Sequence, residues 1–152
     1  MLKKIIVVLF FTLFLSQCGY TPMYSLDNKS NFNFISIKTR GDDELSKFLK
    51  LNLDRYNNRQ SDKQISLDII VDYEKLSQSK DLTGTTTDYL LIAEVNFNIL
   101  FNGQESEINI KKDFVMKDMD KEFEERNYER TIKQNFAYSI INKLIIQLSK
   151  SR

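Results

Sequence analysis

The chain has 152 residues, 28% of them charged and 41% hydrophobic, which is the composition of one ordinary globular domain. Its formal net charge is +1, so it lacks the basic excess with which nucleic-acid-binding proteins neutralise phosphates, and we expect no nucleic-acid partner. It contains no histidine and one cysteine, Cys18. These counts exclude an intramolecular disulfide, a Cys/His zinc site and a nucleophile activated by histidine, so we expect a binding protein without metal or cofactor.

The first 17 residues are typical of an export signal. The segment MLKK is positively charged, residues 5–15 are apolar, and Cys18 follows at the distance where a signal peptidase cuts. The apolar stretch is shorter than the roughly 20 residues that cross a bilayer, which favours a cleaved signal over a membrane span. We predict a signal peptide over residues 1–17, whose removal leaves 20 basic against 21 acidic side chains.

A strand and a helix are predicted next. Residues 32–38, FNFISIK, are rich in aromatic and β-branched side chains, which indicates a first strand after the polar segment 25–31. Over residues 41–56, acidic side chains at the start complement the positive end of a helix dipole, and apolar side chains then recur along one face. That face comprises Leu45, Phe48, Leu49, Leu53 and Tyr56.

From residue 66 the apolar pattern has a period of two, which predicts strands with one buried face. A first alternation over residues 66–74 precedes a stretch, 77–86, that we expect to be a flexible loop. A longer alternation covers 89–101, and the pair Asn102-Gly103 is favoured in two-residue hairpin turns before a returning strand, 104–116. The predicted inward residues are Leu67, Ile69, Val71, Tyr73, Tyr89, Leu91, Ala93, Val95, Phe97, Ile99, Phe101, Ile108, Ile110, Phe114 and Met116.

The last segment predicts a long helix. Asp118 or Asp120 is the expected N-cap, and apolar residues recur at about every fourth position from Ile132 to Leu148. The predicted order is therefore β-α-β-β-β-α. We expect a single α+β domain over residues 32–149, with two helices packed on one face of a four-stranded mixed sheet whose last three strands are antiparallel.

The residues that end the signal resemble the lipobox of bacterial lipoproteins. In that pattern the chain is cut before a cysteine whose thiol carries diacylglycerol and whose new amine is acylated. Leu15 and Ser16 match, whereas Gln17 stands where Gly, Ala or Ser is usual. The resemblance implies that Cys18 is a membrane anchor carrying covalent lipid and that residues 18–31 are a tether. The alternatives are an ordinary signal with a fortuitous cysteine, or an uncleaved signal anchor.

The heptapeptide CGYTPMY, residues 18–24, resembles the start of mature LPS-assembly lipoproteins of the alphaproteobacterial LptE type. That family has the lipidated cysteine followed by Gly, an aromatic residue, any residue, Pro, Leu and Tyr. The matching residues are Cys18, Gly19, Tyr20, Pro22 and Tyr24, and Met23 replaces Leu. The family's fold has the same β-α-β-β-β-α order, and beyond residue 24 the resemblance is one of pattern only.

The resemblance implies an outer-membrane lipoprotein that faces the periplasm. Its partner would be the large LPS-transport β-barrel of the LptD type, for which it would act as plug and assembly partner, with contact to lipopolysaccharide itself as a further expectation. The candidates for charge-assisted bonds to lipid phosphates are Lys111, Lys112, Arg55 and Arg59, with solvated surface as the alternative for each. The alternative function is a generic periplasm-facing lipoprotein that binds another envelope protein or a cell-wall component.

Overall fold

Four strands and two helices make up residues 32–150, the part of the chain that the computed structural model describes. Their bounds in chain order are β1 (Asn33–Gly41), α1 (Asp43–Asp54), β2 (Gln64–Lys80), β3 (Thr86–Phe101), β4 (Gln104–Lys117) and α2 (Glu122–Lys150). The predicted α+β class and the order β-α-β-β-β-α are confirmed. The predicted signal peptide and tether, with Cys18, lie outside the described residues.

The strands lie in the order β1-β2-β3-β4 within one mixed sheet. β1 and β2 are parallel, with α1 as the connection between them, whereas β2, β3 and β4 are antiparallel neighbours. Asn102 and Gly103 have φ angles of 51° and 77°, which is the positive φ that the predicted two-residue hairpin turn requires at both positions. The turn fixes the register of β3 against β4, beginning with Phe101 opposite Gln104.

The corner between β1 and α1 is built around Gly41. Its φ is +109°, and a Cβ atom there would lie 1.9 Å from the carbonyl oxygen of Val71, so only glycine fits. The next residue, Asp42, donates its backbone N–H to that same carbonyl at 3.0 Å, and its carboxylate accepts the N–H of Leu45 at 2.7 Å. Asp42 is thus the N-cap of α1, which anchors the helix start against β2.

Half of the stretch expected to be a flexible loop, residues 77–86, is strand, so that expectation was wrong for residues 77–80 and 86. β2 continues to Lys80 and β3 begins at Thr86, because antiparallel backbone pairing persists where the side chains no longer alternate. The remaining five-residue turn is ordered by Asp81, whose carboxylate accepts the N–H groups of Thr83 and Thr85 at 2.8 and 2.9 Å. The Thr83 hydroxyl also donates to this carboxylate, and its hydrogen bond is the main cause that lowers the pKa of Asp81, followed by the backbone bonds.

The core lies between the sheet and the two helices. The fully or almost fully buried side chains include Leu45, Leu49, Leu53, Ile69, Val71, Leu91, Val95, Phe97, Ile110, Met116, Ile140, Ile141 and Leu144. The alternation predicted for the strands is confirmed in these positions. The predicted N-caps of α2, Asp118 and Asp120, were wrong. The helix begins at Glu122, and its first main-chain hydrogen bond runs from the N–H of Glu125 to the carbonyl of Lys121, so Lys121 occupies the N-cap position. Asp118 instead donates its N–H to Thr87, which prolongs the pairing of β3 with β4.

Candidate functional site

The face of the sheet opposite the two helices is covered by no other helix or strand of residues 32–150. Successive side chains of a strand point to opposite faces, so the residues between the core positions form rows across this uncovered face. One row places Asp72, Glu94 and Lys111 side by side, and a second places Ile70 beside Asn96 and Asn109. Most of these side chains are charged or amide-bearing, which suits a polar environment.

A groove of about 580 Å³ crosses the uncovered face at the end where β1 begins. All four strands contribute to it, and its polar lining includes Ser36, Lys38, Asp68, Asn98, Glu105 and Glu107. Arg40 donates to Asp68 at 2.8 Å, which neutralises the carboxylate on the β1 side. The groove therefore has Lys38 on its β1 side and the carboxylates of Glu105 and Glu107 on its β4 side, so its two sides carry opposite charges.

The other end of the uncovered face is apolar. Leu76, Leu90 and Val115 form one row across β2, β3 and β4, and Ile92 stands in the next row. Leu76 and Val115 are 46% and 48% exposed. Just beyond them the ordered turn presents Leu82, which is fully exposed. Clustered exposed apolar side chains are typical of contact surfaces, and this end is the one farther from the start of β1.

The two lysines proposed as phosphate contacts do not share a surface. Lys111 lies on the uncovered face with its ammonium 3.8 Å from Glu94. Lys112 is its neighbour along the strand and stands opposite Ala93, which is fully buried, so it points to the covered face. A single phosphate could not contact both side chains, because adjacent residues of a strand diverge.

The two arginines proposed as phosphate contacts, Arg55 and Arg59, lie after the end of α1, away from both lysines. Arg55 follows the last turn of α1 as its C-cap, and Arg59 is in the connection from α1 to β2, where its carbonyl accepts from Asn33. Both are exposed, at the end of the sheet where β1 starts. The four predicted cations thus occupy three separate places: the connection after α1, the uncovered face and the covered face.

A polar network between α2 and β2 was not predicted from the sequence. It comprises Asp42, Tyr73, Lys75, Glu125, Glu129 and Lys133, and we call it the ionic seam. Lys75 donates to Glu125 and Glu129 at 2.5 and 3.1 Å. The ammonium of Lys133, whose side chain is only 9% exposed, lies 3.0 Å from Asp42. Residue spacing in the sequence could not reveal this network. Lys133 stands within the apolar stripe of α2, and its partner Asp42 is 91 residues away.

Aromatic rings complete the ionic seam. The ammonium of Lys133 lies 4.1 Å from the ring centre of Tyr73, and that of Lys75 lies 4.3 Å from the ring centre of Tyr89. The hydroxyl of Tyr73 donates to Glu129 at 2.9 Å. Each charged group of the seam therefore has an opposite charge or a ring beside it, as partly buried charges require.

The ionic seam alters the protonation of its members. Burial, and then the hydrogen bond to Glu129, raise the pKa of Tyr73. Burial opposes the charge of Lys75, but its bonds to Glu125 and Glu129 outweigh this and raise its pKa. The same bond from Lys75 lowers the pKa of Glu125. All three shifts stabilise the hydrogen-bonded protonation state, which is the behaviour of a structural network.

Within residues 32–150, no helix is long and apolar enough to cross a bilayer. No group of three or more His, Cys, Asp or Glu side chains in that range is placed to hold a metal ion.

Comparisons with known proteins show which fold the chain shares. No family model and no curated protein matches it. Rare lipoprotein B from Shewanella oneidensis is similar in structure, with a TM-score of 0.50 and 19% identity over 76% of this chain and 94% of that one. A lipoprotein from Caulobacter crescentus has a TM-score of 0.51 and 13% identity, over 81% of this chain and 90% of that one. Lipoprotein B from Nitrosomonas europaea has a TM-score of 0.51 and 12% identity, over 79% of this chain and 86% of that one. The chain therefore has the fold of proteins named as lipoproteins.

Proposed function

We propose that the chain is an envelope lipoprotein of the outer membrane that acts as plug and assembly partner of the large LPS-transport β-barrel. The proposal depends on two observations together. The heptapeptide CGYTPMY follows a predicted export signal, and the chain has the fold of three proteins named as lipoproteins. The heptapeptide alone is short, and the fold alone is compatible with many functions. Together they favour the LPS-assembly family over an unrelated periplasmic protein.

The anchor is proposed to be lipid on Cys18. Intact-mass spectrometry of the protein extracted from membranes tests this, because a cut before Cys18 and covalent acyl chains change the mass in a defined way. Cys18→Ala should release or mislocalise the protein, and Ser16→Ala serves as the matched control. A mature N-terminus elsewhere, or a free Cys18 thiol, contradicts the anchor.

The polar part of the uncovered face, from the groove to the row of Asp72, Glu94 and Lys111, is proposed to lie against the polar lumen of the barrel. Its rows of charged and amide side chains suit a wide barrel interior, which is polar and faces water. Asn98 lies in the groove on this face, whereas Gln134 is exposed on α2. Asn98→Trp should therefore reduce copurification with the barrel, and Gln134→Trp should leave it unchanged.

The test of partnership is quantitative copurification. A tagged chain extracted in mild detergent should bring down one large outer-membrane β-barrel protein in near-equal amount, and its depletion should lower assembled barrel and surface lipopolysaccharide. If the tagged chain runs alone and depletion changes neither level, the translocon role fails and a generic lipoprotein that binds another envelope component replaces it.

Contact with lipopolysaccharide phosphates is proposed for Lys111 or for the pair Arg55 and Arg59, each tested separately since they lie apart. If Lys111 is the contact, Lys111→Glu should weaken lipopolysaccharide binding and the double variant Arg55→Glu/Arg59→Glu should not. If the arginine pair is the contact, the double variant should weaken binding and Lys111→Glu should not. Binding through exposed charges should also weaken between about 0.05 and 0.5 M salt. Equal binding by both variants and the parent chain excludes these contacts.

A further inference from the structure

Within residues 32–150, the outer edge of β4 has no neighbouring strand. Fourteen residues, Gln104–Lys117, pair with β3 on one side, and no other strand of residues 32–150 lies on the far side. The main-chain N–H and C=O groups that point outward from such an edge are free to pair with another extended chain.

Half-exposed aromatic side chains lie beside this edge on the covered face. Phe114 is 39% exposed and makes an edge-to-face contact with Tyr128 of α2, with the ring centres 6.4 Å apart. Tyr128 is itself 39% exposed, and Ile108 is only partly buried against the core. α2 thus leaves the margin of β4 incompletely covered. We call this margin, with Ile108, Lys112, Phe114 and Tyr128, the edge slot.

Lys112 is the unusual member of the edge slot. It points to the covered face between Ile110, which is fully buried, and Phe114. Lys75 and Lys133, the lysines of the ionic seam on the same face, each lie within 4 Å of two carboxylates. Lys112 has no hydrogen bond or ion pair to any of residues 32–150. A charge facing inward on an edge strand opposes indiscriminate pairing, because an added strand would bury the charge.

We propose that the edge slot receives an extended segment of a partner protein, which adds to β4 as a fifth strand and presents a carboxylate to Lys112. Main-chain bonds to β4 supply affinity, and alternate side chains of the segment cover Phe114 and Tyr128. A segment with an apolar or basic residue opposite Lys112 leaves an unpaired ammonium, whereas an acidic residue there pairs with it as Glu125 pairs with Lys75.

A second copy of this chain fits the edge slot poorly. Antiparallel self-pairing would place covered-face residues of one β4 opposite covered-face residues of the other. Those residues are Gln104, Ser106, Ile108, Ile110, Lys112, Phe114 and Met116. None is acidic, so both lysines would remain unmatched, and a heterologous segment is the better occupant.

The test uses the full chain in detergent and two fluorescent ten-residue peptides of alternating Thr and Val. One peptide carries Glu and the other Lys at a central valine position, and fluorescence anisotropy measures binding. We expect the Glu peptide to bind about tenfold more tightly than the Lys peptide. Lys112→Gln should remove the preference and Lys112→Glu should reverse it. Lys111→Glu, one residue away on the opposite face, is the matched control and should leave the order of the peptides unchanged.

A third peptide, N-methylated at alternate residues, tests the main-chain bonds and should bind at least tenfold more weakly than its parent. Three results overturn the proposal: no binding of the Glu peptide up to about 1 mM, equal binding of the Glu and Lys peptides, or equal effects of Lys111→Glu and Lys112→Glu. The inference does not rest on the translocon role, since the peptides contain neither lipopolysaccharide nor barrel.

Discussion

The two halves of α2 are held to the sheet by different forces. In the carboxyl half, Phe136, Ala137, Ile140, Ile141 and Leu144 are buried in the core. In the amino half only two consecutive residues are buried, Ile132 and Lys133, while Phe123 is 68% exposed. The amino half is attached instead by the ionic seam, through Glu125, Glu129 and Lys133.

The difference follows from what lies beneath each half. β2 has buried apolar residues from Ile65 to Val71 and then changes to Tyr73 and Lys75 on the same face. Asp42 caps the amino end of α1, so α1 covers the core only up to this point. Beyond it one helix alone covers the sheet, and hydrogen-bonded charges there replace packing. Apolar contacts tolerate small shifts, whereas ion pairs depend on geometry and on pH, so the two halves should respond differently to perturbation.

The largest effect is expected in the apolar half. Ile140 is fully buried, so Ile140→Ala leaves a cavity and should lower the free energy of unfolding by about 3 kcal/mol. Chemical denaturation measures it. Ile146→Ala, at a position that is 54% exposed on the same helix, should cost less than about 1 kcal/mol. Equal losses for the two variants would show that the helix face is misassigned.

A smaller loss is expected in the amino half. Lys133→Ala leaves Asp42 without a cation and leaves Glu44 with Arg130 alone, 3.3 Å away. Because both carboxylates keep some exposure, the loss should be about 2 kcal/mol. Lys143→Ala, an exposed lysine further along α2, should change stability by less than about 0.5 kcal/mol. Hydrogen exchange should also show the amino half opening in the Lys133 variant while the carboxyl half stays protected. Uniform opening of α2 would contradict two separate halves.

The seam should make stability fall at alkaline pH. The pKa of Tyr73 is raised in the folded chain, chiefly by burial, so its contribution is complete below the ordinary phenol value and declines as the pH rises above about 10. Lys75, also raised, acts in the same direction. Denaturation midpoints between pH 8 and 11 measure the decline. Tyr73→Phe should be less stable at pH 8 yet show a flatter decline, and an unchanged slope would exclude Tyr73 as its source.

The smallest effect is expected for an exposed pair at the start of α2. Arg126 lies 2.8 Å from Glu122 at i,i+4 spacing, and both side chains are largely exposed. Arg126→Ala should therefore cost only about 0.3–0.5 kcal/mol, and high salt should remove the difference. A loss as large as that of Lys133→Ala would mean that exposed pairs, and not the buried seam, attach the amino half.

Most of the fold could be predicted from local patterns. Alternation identified the buried face of β3 from Leu91 to Ile99, and Asn102-Gly103 located the hairpin, because both depend on neighbouring residues alone. The continuation of β2 to Lys80 could not be predicted, since SQSK has no apolar alternation and its strand conformation comes from pairing with β3. The candidate site was less predictable, because Lys111 and Lys112 are adjacent in sequence but separate in space.

The sequence by itself determined the order of elements, their buried faces, the hairpin turn and the absence of histidine and paired cysteine, since these are properties of composition and short-range spacing. Tertiary structure decided which charges meet. Lys133 finds Asp42 across 91 residues, whereas Lys112, on the same face of the sheet, finds no carboxylate among residues 32–150. The physical reason is that an ion pair needs two side chains within about 4 Å, and that distance is set by how α2 crosses the sheet.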